Sequence, residues 1–81
     1  MIDKDVELIR VSTDNYDVLY MNGKIIFLEH RLDLTKVLRA LFGYRVIGFI
    51  DYYIDSNVLK EKYDENFPIE FDEFDLDDLT T

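Results

Sequence analysis

Apolar and polar residues alternate at two different periods along this chain, and each change of period marks an element. On either side of Asn22-Gly23, Asp17 to Met21 and Lys24 to Leu28 are rich in Val, Leu, Tyr, Ile and Phe. Asn-Gly supplies the two positive-φ positions of a type I′ turn with little strain. The pattern predicts a β-hairpin over 17–28. A two-residue loop sets Met21 opposite Lys24, Leu19 opposite Ile26 and Asp17 opposite Leu28, with Val18, Tyr20, Ile25 and Phe27 sharing the core face. Upstream, Val6 to Ser12 has the composition of a strand, although the adjacent Leu8 and Ile9 break its alternation.

Past the hairpin the period becomes helical. Leu34, Val37, Leu38, Leu41 and Phe42 fall at i, i+3, i+4, i+7 and i+8 and form one apolar stripe, which predicts a helix over 34–42. Asp33 is placed to accept from its first free amides, Arg39 lies towards the negative end of its dipole, and Gly43 is suited to the left-handed residue that closes it. The next stretch, Tyr44 to Ile54, reads two ways. Val46, Phe49, Ile50 and Tyr53 obey helical spacing, but between Val46 and Ile54 every residue except Gly48 and Asp51 is β-branched or aromatic, which favours a strand. Asp55-Ser56-Asn57 offers caps for a short second helix near 57–63 with a thin apolar stripe, and Pro68 ends anything helical before it. The order predicts an α+β fold: a small, mainly antiparallel sheet of three or four strands packed by helix 34–42.

Length and charge sharpen this picture. Eighty-one residues leave room for one domain with a small core, and the absence of cysteine excludes a disulfide framework and a thiolate metal site. The N-terminal acids Asp3 and Asp5 do not suit a signal peptide, and no apolar run approaches the length of a membrane span, so a cytoplasmic protein that does not contact a membrane is expected. Of the 18 acids and nine bases, residues 64–81 hold eight acids and no base, leaving ten acids and nine bases in residues 1–63. The chain therefore divides into a nearly neutral domain over 1–66 and an acidic, apolar segment over 67–81. The composition of that segment predicts that it is partly disordered or docked on a partner.

Candidate chemistry is sparse. His30 is the only histidine and has no cysteine or serine motif to work with. Asp75-Leu76-Asp77-Asp78 opens like a calcium loop, but Leu79 stands where an oxygen ligand is wanted and no glycine follows. The three glycines are isolated, so they build no phosphate cradle. A solvated crowd of carboxylates gives no reason for one buried general acid. These residues predict neither an enzyme nor a cofactor or metal site. A net charge of −9 also disfavours direct nucleic-acid binding, which depends on Lys and Arg neutralising phosphates.

Protein binding is left. In the acidic segment, Phe67, Ile69 and Phe71 alternate at period two and suit an edge strand docked on the body, while Phe71, Phe74, Leu76 and Leu79 form no clean helical stripe. Phe71-Asp-Glu-Phe-Asp-Leu-Asp-Asp-Leu79 resembles acidic transactivation segments, which dock amphipathically on basic-rimmed grooves. From Glu70 to Asp78 six acids occupy nine residues. Extended, they present one charge per about 5 Å, and wound as an α-helix one per about 2.3 Å, against about 1.7 Å for duplex DNA. The expected role is a small non-enzymatic protein, of phage or mobile-element inhibitor or regulator type, that occupies the nucleic-acid-contacting surface of a basic partner by mimicry. Glu70, Asp72, Glu73, Asp75, Asp77 and Asp78 would meet the partner's bases, and Phe71, Phe74, Leu76 and Leu79 would anchor it. Two other readings fit the same sequence. One is an immunity or antitoxin protein neutralising a basic nuclease; the other is a scaffold protein that self-associates, as a homodimer for instance, through edge strands, with the acidic segment keeping it soluble.

Overall fold

The computed structural model describes residues 4–81. Five strands, β1 (Lys4–Ser12), β2 (Asp17–Met21), β3 (Lys24–Glu29), β4 (Tyr44–Ile54) and β5 (Leu79–Thr80), form one sheet in the order β3-β2-β1-β4-β5. Two helices, α1 (Leu34–Ala40) and α2 (Ser56–Tyr63), flank β4 in sequence. The fold is α+β, but the sheet has five strands where three or four were expected, and it is mixed. β1 and β4 run parallel while the other neighbours are antiparallel. The β1–β4 pairing joins residues about 40 apart and leaves no local pattern in the sequence.

The hairpin forms at Asn22-Gly23, both with positive φ (51° and 86°), and Met21 faces Lys24 as a two-residue turn requires. A bulge between Leu19 and Tyr20 then shifts the register by one. Leu19 therefore faces Phe27 rather than Ile26, and Asp17 faces Glu29 rather than Leu28. Phe27 consequently leaves the expected core face. Val18, Tyr20 and Ile25 keep it, joined by Ile9, Val11, Tyr52 and Ile54. Leu19 is also buried, at 2% exposure, on the opposite face with its register neighbour Arg10.

The helices exchange the roles expected of them. Asp33 caps α1 by accepting from Thr35 N at 2.9 Å, and Gly43 takes φ 89° just beyond it. Yet α1 contains no buried residue: Val37, Ala40 and Leu41 are half-buried, while Leu34, Leu38 and Phe42 stand exposed. It is not the helix that packs across the sheet. That place belongs to α2, capped by Asp55 through Asn57 N at 2.8 Å, whose Leu59 enters the core with Val58 and Tyr63 against it. Beyond α2, Asp64 and Glu65 adopt consecutive left-handed conformations and turn the chain back across the sheet. No helix among the described residues is long and apolar enough to cross a membrane.

Candidate protein-docking surface

The acidic segment is strapped over the core at both edges of the sheet. At the β3 edge, Ile25 N donates to Ile69 O at 2.8 Å and Phe71 N to Gly23 O at 2.7 Å, forming a single bridge between Lys24 and Glu70. The expected edge strand is reduced to this bridge. At the far edge, β5 pairs with Tyr53 and Ile54 of β4. Between these ties the chain makes two 3₁₀ turns, Phe71–Glu73 and Leu76–Asp78. A 3₁₀ turn has three residues per turn, so Phe71 and Phe74, just past the first winding, come to the same side with rings tilted at 55°, and a new winding begins at Asp75. An α-helical reading scatters these residues because it assumes one continuous winding of 3.6 residues per turn.

The apolar side chains of the segment complete the chain's own core. Phe74 is 6% exposed and sits edge-on or tilted among Tyr20, Tyr63, Phe67 and Phe71, with ring centroids 5.2 to 6.5 Å apart. Leu79 is buried, Phe71 half-buried and stacked on Tyr52, and Leu76 exposed at 60%. Of the four anchors expected to meet a partner, only Leu76 presents most of its surface to solvent.

Two tyrosines from the body hold the segment. The Tyr20 hydroxyl donates to Pro68 O at 2.6 Å, and its burial, with the nearby Glu73 charge, pushes its pKa upward. Tyr63 accepts from Asp75 N at 2.9 Å and donates to an Asp78 carboxylate oxygen at 2.9 Å. Lys62 completes this joint with a 2.8 Å contact to the other Asp78 oxygen. The Lys62 hydrogen bond holds the Asp78 carboxyl below the usual carboxylate range, and Asp78 in turn raises the Lys62 ammonium. The sequence placed Tyr20 on the core face of the hairpin but gave no sign that its hydroxyl would hold the segment, and Lys62 and Tyr63 stood out only as members of the thin α2 stripe.

With the apolar residues turned inward, the carboxylates face out. Glu70, Asp72, Glu73, Asp75 and Asp77 are all exposed, and among the described residues none has a Lys or Arg partner. Two of them also hold the local fold: Glu73 accepts from Glu70 N at 3.2 Å, and Asp75 accepts from Asp77 N at 3.0 Å. Asp72 and Asp77 make no side-chain hydrogen bond among the described residues. Asp78 differs from the rest, being half-buried and neutralised by Lys62.

Elsewhere, His30 stacks on Tyr16 with centroids 4.6 Å apart, its Nδ1 3.1 Å from Asn15 O. Among the described residues no group of three or more His, Cys, Asp or Glu is placed to hold a metal ion. No protein-family model, curated protein or solved structure matches the chain.

Proposed function

We propose that the chain is a non-enzymatic protein-binding module whose ordered acidic ridge occupies the basic, nucleic-acid-contacting surface of a partner protein, as an inhibitor or regulator of the phage or mobile-element type. The observation that carries this reading is the set of five exposed carboxylates without a base, held on a scaffold that the chain builds from its own core residues. A charge fixed before binding loses less conformational freedom on docking than one on a free tail. Winding also concentrates it. With the two 3₁₀ turns rising about 2 Å per residue and Glu70, Phe74 and Asp75 extended, the five exposed acids present one charge per about 4 Å, somewhat nearer the duplex spacing than a fully extended segment reaches.

The division of labour follows from burial. Glu70, Asp72, Glu73, Asp75 and Asp77 steer and hold the partner's Lys and Arg, Leu76 supplies apolar contact at the centre of the ridge, and Phe71, Phe74 and Leu79 hold the ridge in shape. Truncating the segment removes core as well as charge, so the clean test neutralises charge alone. Asp72→Asn with Asp77→Asn leaves every hydrogen bond described above in place. In a pull-down from host lysate, the intact chain is expected to capture a basic nucleic-acid-binding protein or nuclease that is released by added duplex DNA and by raised salt. The doubly neutralised chain is expected to capture markedly less. Equal capture by both, or capture indifferent to duplex DNA, would contradict the reading.

The self-associating alternative has one observation in its favour: among the described residues, the edge of β4 away from β1 is paired by β5 only at Tyr53 and Ile54.

A further inference from the structure

The most exposed apolar surface lies away from the acidic ridge, along β4 and the end of α1. In the sheet order, β4 has β1 on one side and β5 on the other, but β5 reaches only Tyr53 and Ile54. Among the described residues, Tyr44 to Tyr52 have no strand beside them on that outer edge. An open edge offers a row of unpaired backbone donors and acceptors, and proteins that remain monomeric blunt such edges with prolines, closely spaced charges or a cover. This one carries no proline. Its Val46, Ile47, Phe49 and Ile50 are 43 to 57% exposed, and Phe42, just before it, is 89% exposed.

The residue types along this edge are self-complementary. Counting outward from Gly48 in both directions gives Ile47 and Phe49, Val46 and Ile50, Arg45 and Asp51, Tyr44 and Tyr52. Run antiparallel against itself about Gly48, the edge therefore brings apolar to apolar, tyrosine to tyrosine and base to acid, with no like-charge pair. A bulge at Ile47 leaves Arg45 on the face of Asp5 and Asp51 on the face of Arg10, so the two-fold matches charge sign at each strand end rather than in one flat pair.

Two wider features agree. In a chain of net charge −9, residues 44–52 carry one base and one acid and are neutral, so the repulsion between copies is weakest here. Residues 31–45, at the start of β4, hold four bases (Arg31, Lys36, Arg39, Arg45) and one acid (Asp33), a local +3. The acidic segment leads into β5 at the other end of β4. Antiparallel pairing sets the +3 end of each copy beside the acidic end of the other.

We propose that the free edge of β4 pairs antiparallel with the same edge of a second copy of this chain, about a two-fold axis at Gly48, joining two five-stranded sheets into one. Such an interface is isologous and closes after two copies. It covers the open backbone edge and the flanks of the exposed β4 side chains, and it sets each copy's acidic segment at an outer end, beside the partner's basic end. It does not depend on what those ridges bind.

The absence of native cysteine makes the test direct. Opposed residues of an antiparallel pair have Cα atoms about 4.5 to 5.5 Å apart, within the span of a disulfide. A Cβ added at Gly48 meets only Glu7 Cγ at an ordinary 3.7 Å, so Gly48→Cys is tolerated by the fold. Sedimentation velocity on the wild-type chain is expected to show a concentration-dependent dimer. Gly48→Cys is expected to become a covalent dimer under mild oxidation, while Leu28→Cys, 53% exposed on β3, remains uncrosslinked. Ile47→Lys, checked for folding by circular dichroism, is expected to weaken association at least about tenfold by placing two lysines beside the axis. A wild-type chain that stays monomeric across the concentration range overturns the proposal. So does a dimer in which Gly48→Cys crosslinks no faster than Leu28→Cys, or one that Ile47→Lys leaves unchanged.

Discussion

Residues 67–81 and residues 34–50 have exchanged the places their compositions suggest. The first segment holds six acids yet supplies Phe74 and Leu79 to the core and packs Phe67 and Phe71 against it. The second is dominated by aliphatic and aromatic residues yet leaves Leu34, Leu38, Phe42, Ile47 and Phe49 in solvent. Burial here follows the geometry of the sheet and not local hydrophobicity. A curled sheet tied at both edges needs a filler for its inner face, and the acidic strap provides one while turning its carboxylates outward. The β4 edge lies outside that arrangement, so its apolar residues have nothing of their own chain to cover them. Each segment thus leaves a distinct surface in solvent: charge in the first case, an open strand edge in the second.

The contrast is broken most severely by a substitution in the acidic segment. Phe74→Ala removes a ring with four aromatic neighbours and is expected to cost about 3–5 kcal/mol. Phe42→Ala, at a residue 89% exposed, is expected to stay within about 0.5 kcal/mol for the monomer. Urea titration of both variants checks the pair, and equal losses would show that the strap is no more structural than the exposed end.

Smaller effects test how the strap is held. Tyr20→Phe strips a largely buried donor from Pro68 O, and Tyr63→Phe undoes the joint at Asp75 and Asp78. Each is expected to cost about 1–2 kcal/mol by the same titration, with the ring packing kept. The pH dependence of the joint has a definite sign. Because the folded carboxyl of Asp78 is held below its ordinary value, its contribution is present above the normal carboxylate range and is lost as pH falls through the folded value. Thermal melts at neutral and at acidic pH should therefore show a larger drop for the intact chain than for Lys62→Met. The least effect is expected from Asp72→Asn with Asp77→Asn, whose stability should change by no more than about 0.5 kcal/mol, since both side chains are exposed and unpaired. Those two positions separate the surface from the scaffold beneath it.

Features specified by neighbouring residues were legible in the sequence. The turn at Asn22-Gly23, the caps Asp33 and Asp55 and the left-handed Gly43 each stand where their chemistry predicted, because each is settled within a few residues. For β4, the β-branched and aromatic content outweighed the helical spacing of Val46, Phe49 and Ile50. The parallel β1–β4 pairing and the bulge at Leu19 depend on distant contacts, so neither could be read locally. The same holds for the strap. Two short 3₁₀ windings with a phase break at Asp75 mimic disorder when judged against strand or α-helix periods. The exposed acids could be picked out by charge alone. Which apolar residues of the segment face solvent and which are core could not, because Phe74 and Leu76 look alike until the fold shows that one faces Tyr20 and the other faces solvent.

Amide hydrogen exchange read along the chain tests this inversion most directly. If the strap belongs to the core, Ile25, Phe71 and Phe74, whose amides donate to Ile69, Gly23 and Phe71, exchange on the timescale of the central strands. Exchange of Phe71 and Phe74 at the rate of an unstructured peptide, while β1 and β2 remain protected, would contradict the account.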